Sequence, residues 1–534
     1  MIETNARVTH RNNDFRHVAD LARINAADRP EKAAFRFEGR ELTYAALEAQ
    51  SNRAALAAIS EGVQPGDRIA YLGKNSDVYF ELMIAVAKVG AVLTPLNWRL
   101  APPEIAWILD DCGARVLFVG PEFVTLADRL CDEVSALTRI IATEAIDGGP
   151  SEYARWRDTS VPGSLPACTE HDPVLQMYTS GTTGKPKGAV LTSASILRTA
   201  LDHDPALLDP WDRWQDGDVS LVAMPCFHVG GTLYGVMTMR NGATGMIMRE
   251  FDPAKVLDHI EHDGISKIFL VPAAMQFIVA QPKARSVDFS RLRYIAYGAS
   301  PIPLPLLRTA IDVFGCGFVQ MYGMTETSGT IAQLPPHDHD PAGNPRMRSI
   351  GKPMRGVEMK VIDDAGEPVA DATIGEIAIR TQANMREYWQ RPDATAETID
   401  AEGWLRTGDA GYRDADGYFY LHDRIKDMII SGGENIYPAE VEAAVCEHQG
   451  VAEVAVIGVP DVKWGEAVKA CVVLKPGASG SADDIIAFAR TRIAGYKVPK
   501  SIDFIDALPR NSSGKVLRRE LRAPYWAGQD RQVS

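Results

Sequence analysis

Short apolar runs alternating with helix-length segments constrain this chain more than any other feature. Residues 68–72 read as a strand, Asn75 and Ser76 can cap a helix over 77–89, and 91–95 reads as a second strand. The alternation returns at 115–119, at 220–224 before a glycine-rich turn, at 267–271 and at 294–297. A mostly parallel sheet with helices on both faces is expected. Two long polar, proline-containing stretches, 146–173 and 333–347, read as loops.

From about Val357 the pattern becomes short strands separated by turns such as Asp-Ala-Gly and Asp-Ala-Asp-Gly, a β-rich subdomain ending near Asp423. After Lys426 an α+β unit begins. Pro438 opens a helix with Val441, Ala444 and Val445 on one face, and strands follow at 452–459 and 467–474. A second helix carries Ile485, Phe488, Ala489 and Ile493. The expected fold class is α/β. A large N-terminal domain, 1–425, combines parallel-sheet α/β subdomains with the β-rich subdomain; a small mobile α+β C-terminal domain, 426–534, follows.

With 534 residues, 46% hydrophobic and 24% charged, the chain can bury more than one core, which rules out disorder as its main state. Its most apolar stretches, around 82–96 and 268–280, are broken by Lys88 or Gln276, short of the roughly 18 residues that cross a bilayer. Residues 1–19, with Glu3, Arg7, Arg11 and Asp14, lack the basic-then-apolar layout of a secretory signal, so the cytoplasm is expected. Seven scattered cysteines without a C-x-x-C pair argue against a disulfide framework and a zinc site. A net charge of −14 opposes adhesion to nucleic acid or anionic membrane. Any anionic substrate must then be held by a few local cations. The oligomeric state stays open, a homo-oligomer included.

The most informative segment runs from Tyr178 to Gly188, after an apolar strand over 174–177. Thr179, Ser180, Gly181, Thr182, Thr183, Gly184, Lys185 and Lys187 place glycines, hydroxyls and lysines in one short loop. Backbone amides of such a loop point at phosphate oxygens, hydroxyls add donors and lysines add charge. It is not a Walker loop, because Pro186 follows Gly184-Lys185 where Ser or Thr is required.

This loop resembles the phosphate loop of the adenylate-forming superfamily of acyl-CoA synthetases, peptide-synthetase adenylation domains and adenylating luciferases, and acyl-CoA synthetases are the nearest type. Four further matches follow in order: Tyr322-Gly-Met-Thr-Glu-Thr, Thr407-Gly-Asp, Asp423-Arg-Ile-Lys-Asp and Pro509-Arg-Asn-Ser-Ser-Gly-Lys. The resemblance spans about 20 to 520. It implies ATP, Mg2+ and coenzyme A as cofactors, and a reaction joining a carboxylate to the α-phosphate before a thiol displaces AMP. Two anions must meet in that reaction, so cations and a metal have to neutralise charge.

By the resemblance, Glu326 and Thr179 hold magnesium, Thr325 bonds the α-phosphate, and Lys515 serves adenylation. Tyr322 stacks on adenine, with Gly298, Ala299, Ser300, Gln320, Met321 and Gly323 lining the base; Asp409 takes the ribose hydroxyls and Arg424 donates to ribose or phosphate. Lys426 is the hinge on which the small domain turns between half-reactions. Ser431, Gly432, Gly433, Glu434 and Asn435 suit the pantetheine path, since paired glycines allow close backbone approach.

His228 matches the family's aromatic-His region and is a candidate catalytic residue beside the acid carboxylate. Val229, Gly230, Gly231, Tyr297, Gly298 and Met324 join it as acid-pocket candidates, with Tyr234, Met321, Ser328 and Gly329 as further lining. The neutral neighbours of His228 argue against an α-amino acid. With no lysine or arginine in this lining, an apolar, fatty-acid-like monocarboxylate is expected, and the glycine pair leaves room for a long or bulky tail. The alternatives are an aryl or polycyclic, steroid-type acid, transfer to a carrier protein, and a non-catalytic nucleotide-binding protein.

Overall fold

The computed structural model describes residues 14–145, 149–159, 163–179, 186–198, 201, 207–300, 302–424, 427–431, 434–461, 463–478, 480–510 and 516–527, with backbone alone at 131–132, 422–424 and 434–435. A large N-terminal domain and a C-terminal domain carry four sheets among these residues.

Parallel neighbours Thr244–Ile247, Val219–Val222, Lys267–Leu270, Tyr294–Gly298 and Gly317–Met324 form the middle of the first, nine-stranded sheet. Gly329–Leu334 turns back antiparallel beside the last of them. The second sheet, of seven strands, pairs Arg68–Leu72 in parallel with Val92–Pro95 and Val116–Val119, and places Pro173–Thr179 beyond Val92–Pro95. Between the two sheets lies the helix Asp77–Val89, whose residues are buried apart from Val78. Ser76 caps it by accepting the Val78 N–H, and Gly90 ends it at φ +75, the left-handed turn that glycine adopts without a Cβ penalty. Phe80 stacks on Phe35 of the first sheet with ring centroids 4.5 Å apart. An amphipathic helix needs one apolar face; this one is apolar nearly all round because both sheets claim it.

The β-rich subdomain is the antiparallel sheet Val357–Ile362, Gly375–Thr381, Leu405–Arg413 and Phe419–Arg424, as the turn spacing implies. In the C-terminal domain Val451–Asp461 and Gly465–Leu474 pair antiparallel, and Pro438–Cys446 buries Val441, Ala444 and Val445 against them.

The structure departs from expectation in two places. The stretch 146–173 contains the helix Glu152–Arg157, capped by Ser151, whose Tyr153 hydroxyl donates to the buried Glu81 at 2.6 Å. The helix Ala482–Arg490 stops before Ile493, which joins the same core from a turn. No helix among the described residues is long and apolar enough to cross a membrane.

Candidate active site

Parallel sheets expose backbone and loop residues at the carboxyl ends of their strands, where ligands are usually held. Tyr294–Gly298 leads there into Ala299 and Ser300, and Gly317–Met324 leads into the tight turn Thr325–Thr327. Gly298 has no room for a side chain: a Cβ would stand 2.0 Å from the Met321 carbonyl oxygen of the adjacent strand. Ala299 follows at φ +66, a strained conformation for a residue with a Cβ.

Three distant segments converge on Glu326. Its buried carboxylate oxygen Oε1 accepts from the Thr179 hydroxyl at 3.3 Å and from the Tyr388 hydroxyl at 2.8 Å, while its main-chain carbonyl accepts from the Met385 N–H at 2.7 Å. Thr179 ends its strand in the second sheet, and Tyr388 lies on a short strand paired to Lys187–Thr192. The Lys187 ammonium stands 4.9 Å from the centroid of the Tyr388 ring. Oxygen donors from a carboxylate and a hydroxyl fit magnesium, which keeps waters and takes its other ligands from phosphates. No cluster of three acidic, His or Cys side chains competes for that role among the described residues.

The Tyr322 hydroxyl donates to Asp409 Oδ2 at 2.6 Å, so the two residues assigned to base and ribose form one unit. Asp409 is buried, its own N–H is held by the Thr407 hydroxyl at 3.1 Å, and Arg424 is its strand partner in register. Gln320 carries a buried Oε1 with no hydrogen-bond partner among the described residues, an acceptor left for something else to satisfy.

His228 is the cap residue of the helix Val229–Arg240, with its ring 4.5 Å from Phe227. Burial first, and the Arg99 cation second, push its imidazole down to about 4, so it is neutral near pH 7. The Gly230-Gly231 pair does not open space for a tail. A Cβ on Gly231 would lie 2.3 Å from the Pro225 carbonyl oxygen, and one on Gly230 would lie 2.9 Å from the Phe269 ring. Both glycines admit the helix close to the preceding chain and to the sheet.

Tyr297 points away from the helix Val229–Arg240. It is fully buried with Phe314 and Phe318, and its hydroxyl bonds His339 at 2.9 Å. Side chains alternate along a strand, so Tyr294 and Ala296 face the helix while Tyr297 faces the core behind. Met324 likewise packs, with Tyr322, against the core of the β-rich sheet.

A small cavity does lie under the helix, lined by Tyr234, Met237, Tyr294, Ala296, Val319 and Met321, and closed by Trp211, Asp212, Trp214 and Lys267. Sequence reasoning missed these closing residues. The signals were a lysine opening an otherwise apolar strand of a covered sheet, and an acid between two tryptophans. Tyr388 carried no local signal, since only strand pairing brings it to Glu326. Residues 180–185, Lys426, Gly432, Gly433 and Lys515 lie outside the described residues, as do the side chains of Arg424, Glu434 and Asn435. Ser431 ends a strand and is in register with Glu434 of the antiparallel strand beside it.

A model of the AMP-binding enzyme family matches residues 22–389, and one of the AMP-binding enzyme C-terminal domain matches 440–515. The chain belongs to the AMP-binding enzyme family. Like the adenylate-forming enzymes it resembles, it is an AMP-forming acid–thiol ligase that uses ATP, close to the acyl-CoA synthetases. The fatty acid–[acyl-carrier-protein] ligase ScoC of Streptomyces coeruleorubidus is 42% identical over 515 residues, 96% of this chain and 97% of that one. A feruloyl-CoA synthase of Amycolatopsis is 41% identical, covering 93% of this chain and 96% of that one. The crystal structure of ATP-bound MatB from Rhodopseudomonas palustris superposes with a TM-score of 0.85 at 28% identity, covering 95% and 99% of the two chains.

Proposed function

We propose that this AMP-binding enzyme activates a monocarboxylic acid with a largely apolar body as acyl-AMP and then passes the acyl group to the thiol of coenzyme A. What carries the reading is the convergence of Thr179, Tyr388 and Glu326 beside the Tyr322–Asp409 pair. Asp409 offers its carboxylate to ribose, Tyr322 its ring to the base, and the unsatisfied Gln320 oxygen suits the exocyclic amine of adenine. Thr179 and Glu326 would hold magnesium, which would neutralise phosphate charge. His228, neutral, can hydrogen-bond the entering carboxylate without holding it as an ion pair.

The remaining roles rest on the resemblance. Lys515 brings a mobile cation to the α-phosphate and carboxylate, in a C-terminal domain that begins at 426 and turns about Lys426. The 180–185 segment cradles the phosphates, Arg424 donates to ribose or phosphate, and residues 431–435 flank the pantetheine path. A carrier protein is the second acceptor to consider, because ScoC, which shares 42% identity, is named as a carrier-protein ligase.

Pyrophosphate and AMP release across straight-chain, branched, aryl and polycyclic acids, each with and without coenzyme A, tests the proposal. Acid-dependent release that rises with coenzyme A is expected. Release indifferent to coenzyme A would shift the acceptor to a carrier protein, and no release with any acid would refute the reading.

A further inference from the structure

The cavity beneath the helix Val229–Arg240 has an apolar wall and a polar floor, and the polarity is only partly matched within the described residues. Its volume is about 20 Å³, room for roughly one water molecule. Lys267 is buried on the floor, where its ammonium donates to the Trp211 carbonyl at 2.7 Å and the Arg213 carbonyl at 2.8 Å. An ammonium has three hydrogens; among the described residues two are taken by these carbonyls, and beyond them the cation meets aromatic rings instead of a third oxygen, 4.8 Å from the Trp214 centroid and 5.4 Å from that of Tyr294. Asp212, also on the floor, accepts at Oδ1 from the Gln333 amide at 3.1 Å; its other oxygen has no hydrogen-bond partner among those residues. The two charges lie close enough to perturb each other, yet form no ion pair within 4.0 Å among the described residues. Burial pushes the Asp212 carboxyl up and the Lys267 ammonium down to about 8. Both groups line the same cavity, the ammonium with one hydrogen that no oxygen accepts and the carboxylate with one oxygen that no donor reaches among the described residues.

We infer that Lys267 and Asp212 read the far end of the acid, and that the preferred substrate carries a hydroxyl there, phenolic or aliphatic. A hydroxyl accepts from the ammonium and donates to the carboxylate, whereas a terminal methyl leaves both unpaired. A second carboxylate would face Asp212, and an amine would face Lys267. This inference rests on the acid activation proposed above and adds that the tail runs from His228 under the helix this residue caps; it replaces a wholly apolar tail by one with a polar tip.

The reach is consistent with such acids. Lys267 pairs in register with Tyr294, four residues below Gly298, so the floor lies about 13 Å of strand rise below the strand ends. Acids whose carboxyl and hydroxyl groups are about 10 Å apart, such as 4-hydroxycinnamate or 8-hydroxyoctanoate, span that depth once the long Lys267 side chain is counted. At about 20 Å³ the cavity takes the hydroxyl tip alone, beside Trp211, Trp214 and Tyr234.

The test compares kcat/KM for acid-dependent AMP release between matched tails: 4-hydroxycinnamate against 4-methylcinnamate, and 8-hydroxyoctanoate against nonanoate. A site built to hydrogen-bond a substrate hydroxyl rejects the analogue that lacks it by tenfold or more. We expect at least a tenfold preference for the hydroxyl in one of these pairs, falling to within about threefold in Lys267→Met and in Asp212→Asn. A wild-type enzyme that prefers the methyl or ignores the difference in both pairs overturns the inference, as does a folded Lys267→Met that keeps the preference. If neither variant folds, the wild-type ratio decides alone. Acid-dependent release blind to the tail sinks only this inference, whereas no release with any acid sinks the proposed function and this inference with it.

Discussion

Lowering the pH from 7.5 to 5 should weaken the folded state through His339, by an amount that follows from its surroundings. Its Nδ1 lies 2.9 Å from the Pro335 carbonyl oxygen and so carries the hydrogen; Nε2, 2.9 Å from the Tyr297 hydroxyl, is left to accept. Burial pushes this imidazole down from 6.5 to about 4. The unfolded chain therefore binds a proton that the folded chain refuses, so the contribution is complete above about 6.5 and is lost as the pH falls toward 4. Integrated between pH 7.5 and 5, the loss is about 2 kcal/mol. It falls toward about 1 kcal/mol once solvent reaching the half-buried ring is allowed for. Urea unfolding at several pH values over that range measures it. His339→Gln keeps an acceptor for Tyr297 and a donor for Pro335 but does not titrate. Its stability should fall by about 1–2 kcal/mol less than that of the wild type over the same interval. His228, pushed to about 4 as well, titrates in both proteins and cancels in the comparison. Parallel pH curves for the two proteins would refute the assignment of a neutral, doubly bonded His339.

Other outcomes follow from the same geometry. Glu326→Gln should cut acyl-AMP formation by roughly 10²–10³-fold, with a thermal midpoint within a few degrees of wild type because the amide oxygen still accepts the Tyr388 hydroxyl; pyrophosphate release and a melt together check it. Lys515→Ala should abolish acyl-AMP formation yet largely spare thioester formation from pre-made acyl-AMP, and equal loss of both steps would count against its role in one half-reaction. Gly231→Ala should destabilise the fold by about 1–3 kcal/mol, read by urea midpoint, because its methyl must displace the Pro225 carbonyl. Tyr297→Phe should leave the ranking of acids unchanged while lowering stability by about 1 kcal/mol, since the lost hydroxyl serves His339.

Much of this arrangement was written locally in the chain. Ser76 and Gly90 bracket a helix by capping chemistry that acts over a few residues, and the strands at 68–72, 267–270 and 294–298 follow from short apolar runs between breakers. The order of the motifs also placed Thr179, Glu326, Tyr322 and Asp409 as site candidates, and the fold brings them together as two bonded groups. Other features depend on what a segment meets across the molecule. Gly230 and Gly231 look like open space in one dimension, and only the approach of Phe269 and the Pro225 carbonyl shows that they are occupied. Tyr388 and Lys267 are reached through strand pairing and burial, which no spacing encodes.

Tyr297 is the instructive intermediate case, because strand parity alone could have excluded it. If Gly298 touches the nucleotide side and Ala296 the cavity, an alternating strand must send Tyr297 to the opposite face, where it is found. The same parity applied to the neighbouring strand puts Lys267 and Phe269 under the helix, with Ile268 and Leu270 in the core behind. A lysine at that position costs desolvation that a leucine would not. Two main-chain carbonyls of the tryptophan segment and the rings of Trp214 and Tyr294 offset part of that cost. On the reading proposed for Lys267, substrate choice turns on a residue whose meaning depends on the face it occupies, whereas the reaction type follows from motif order.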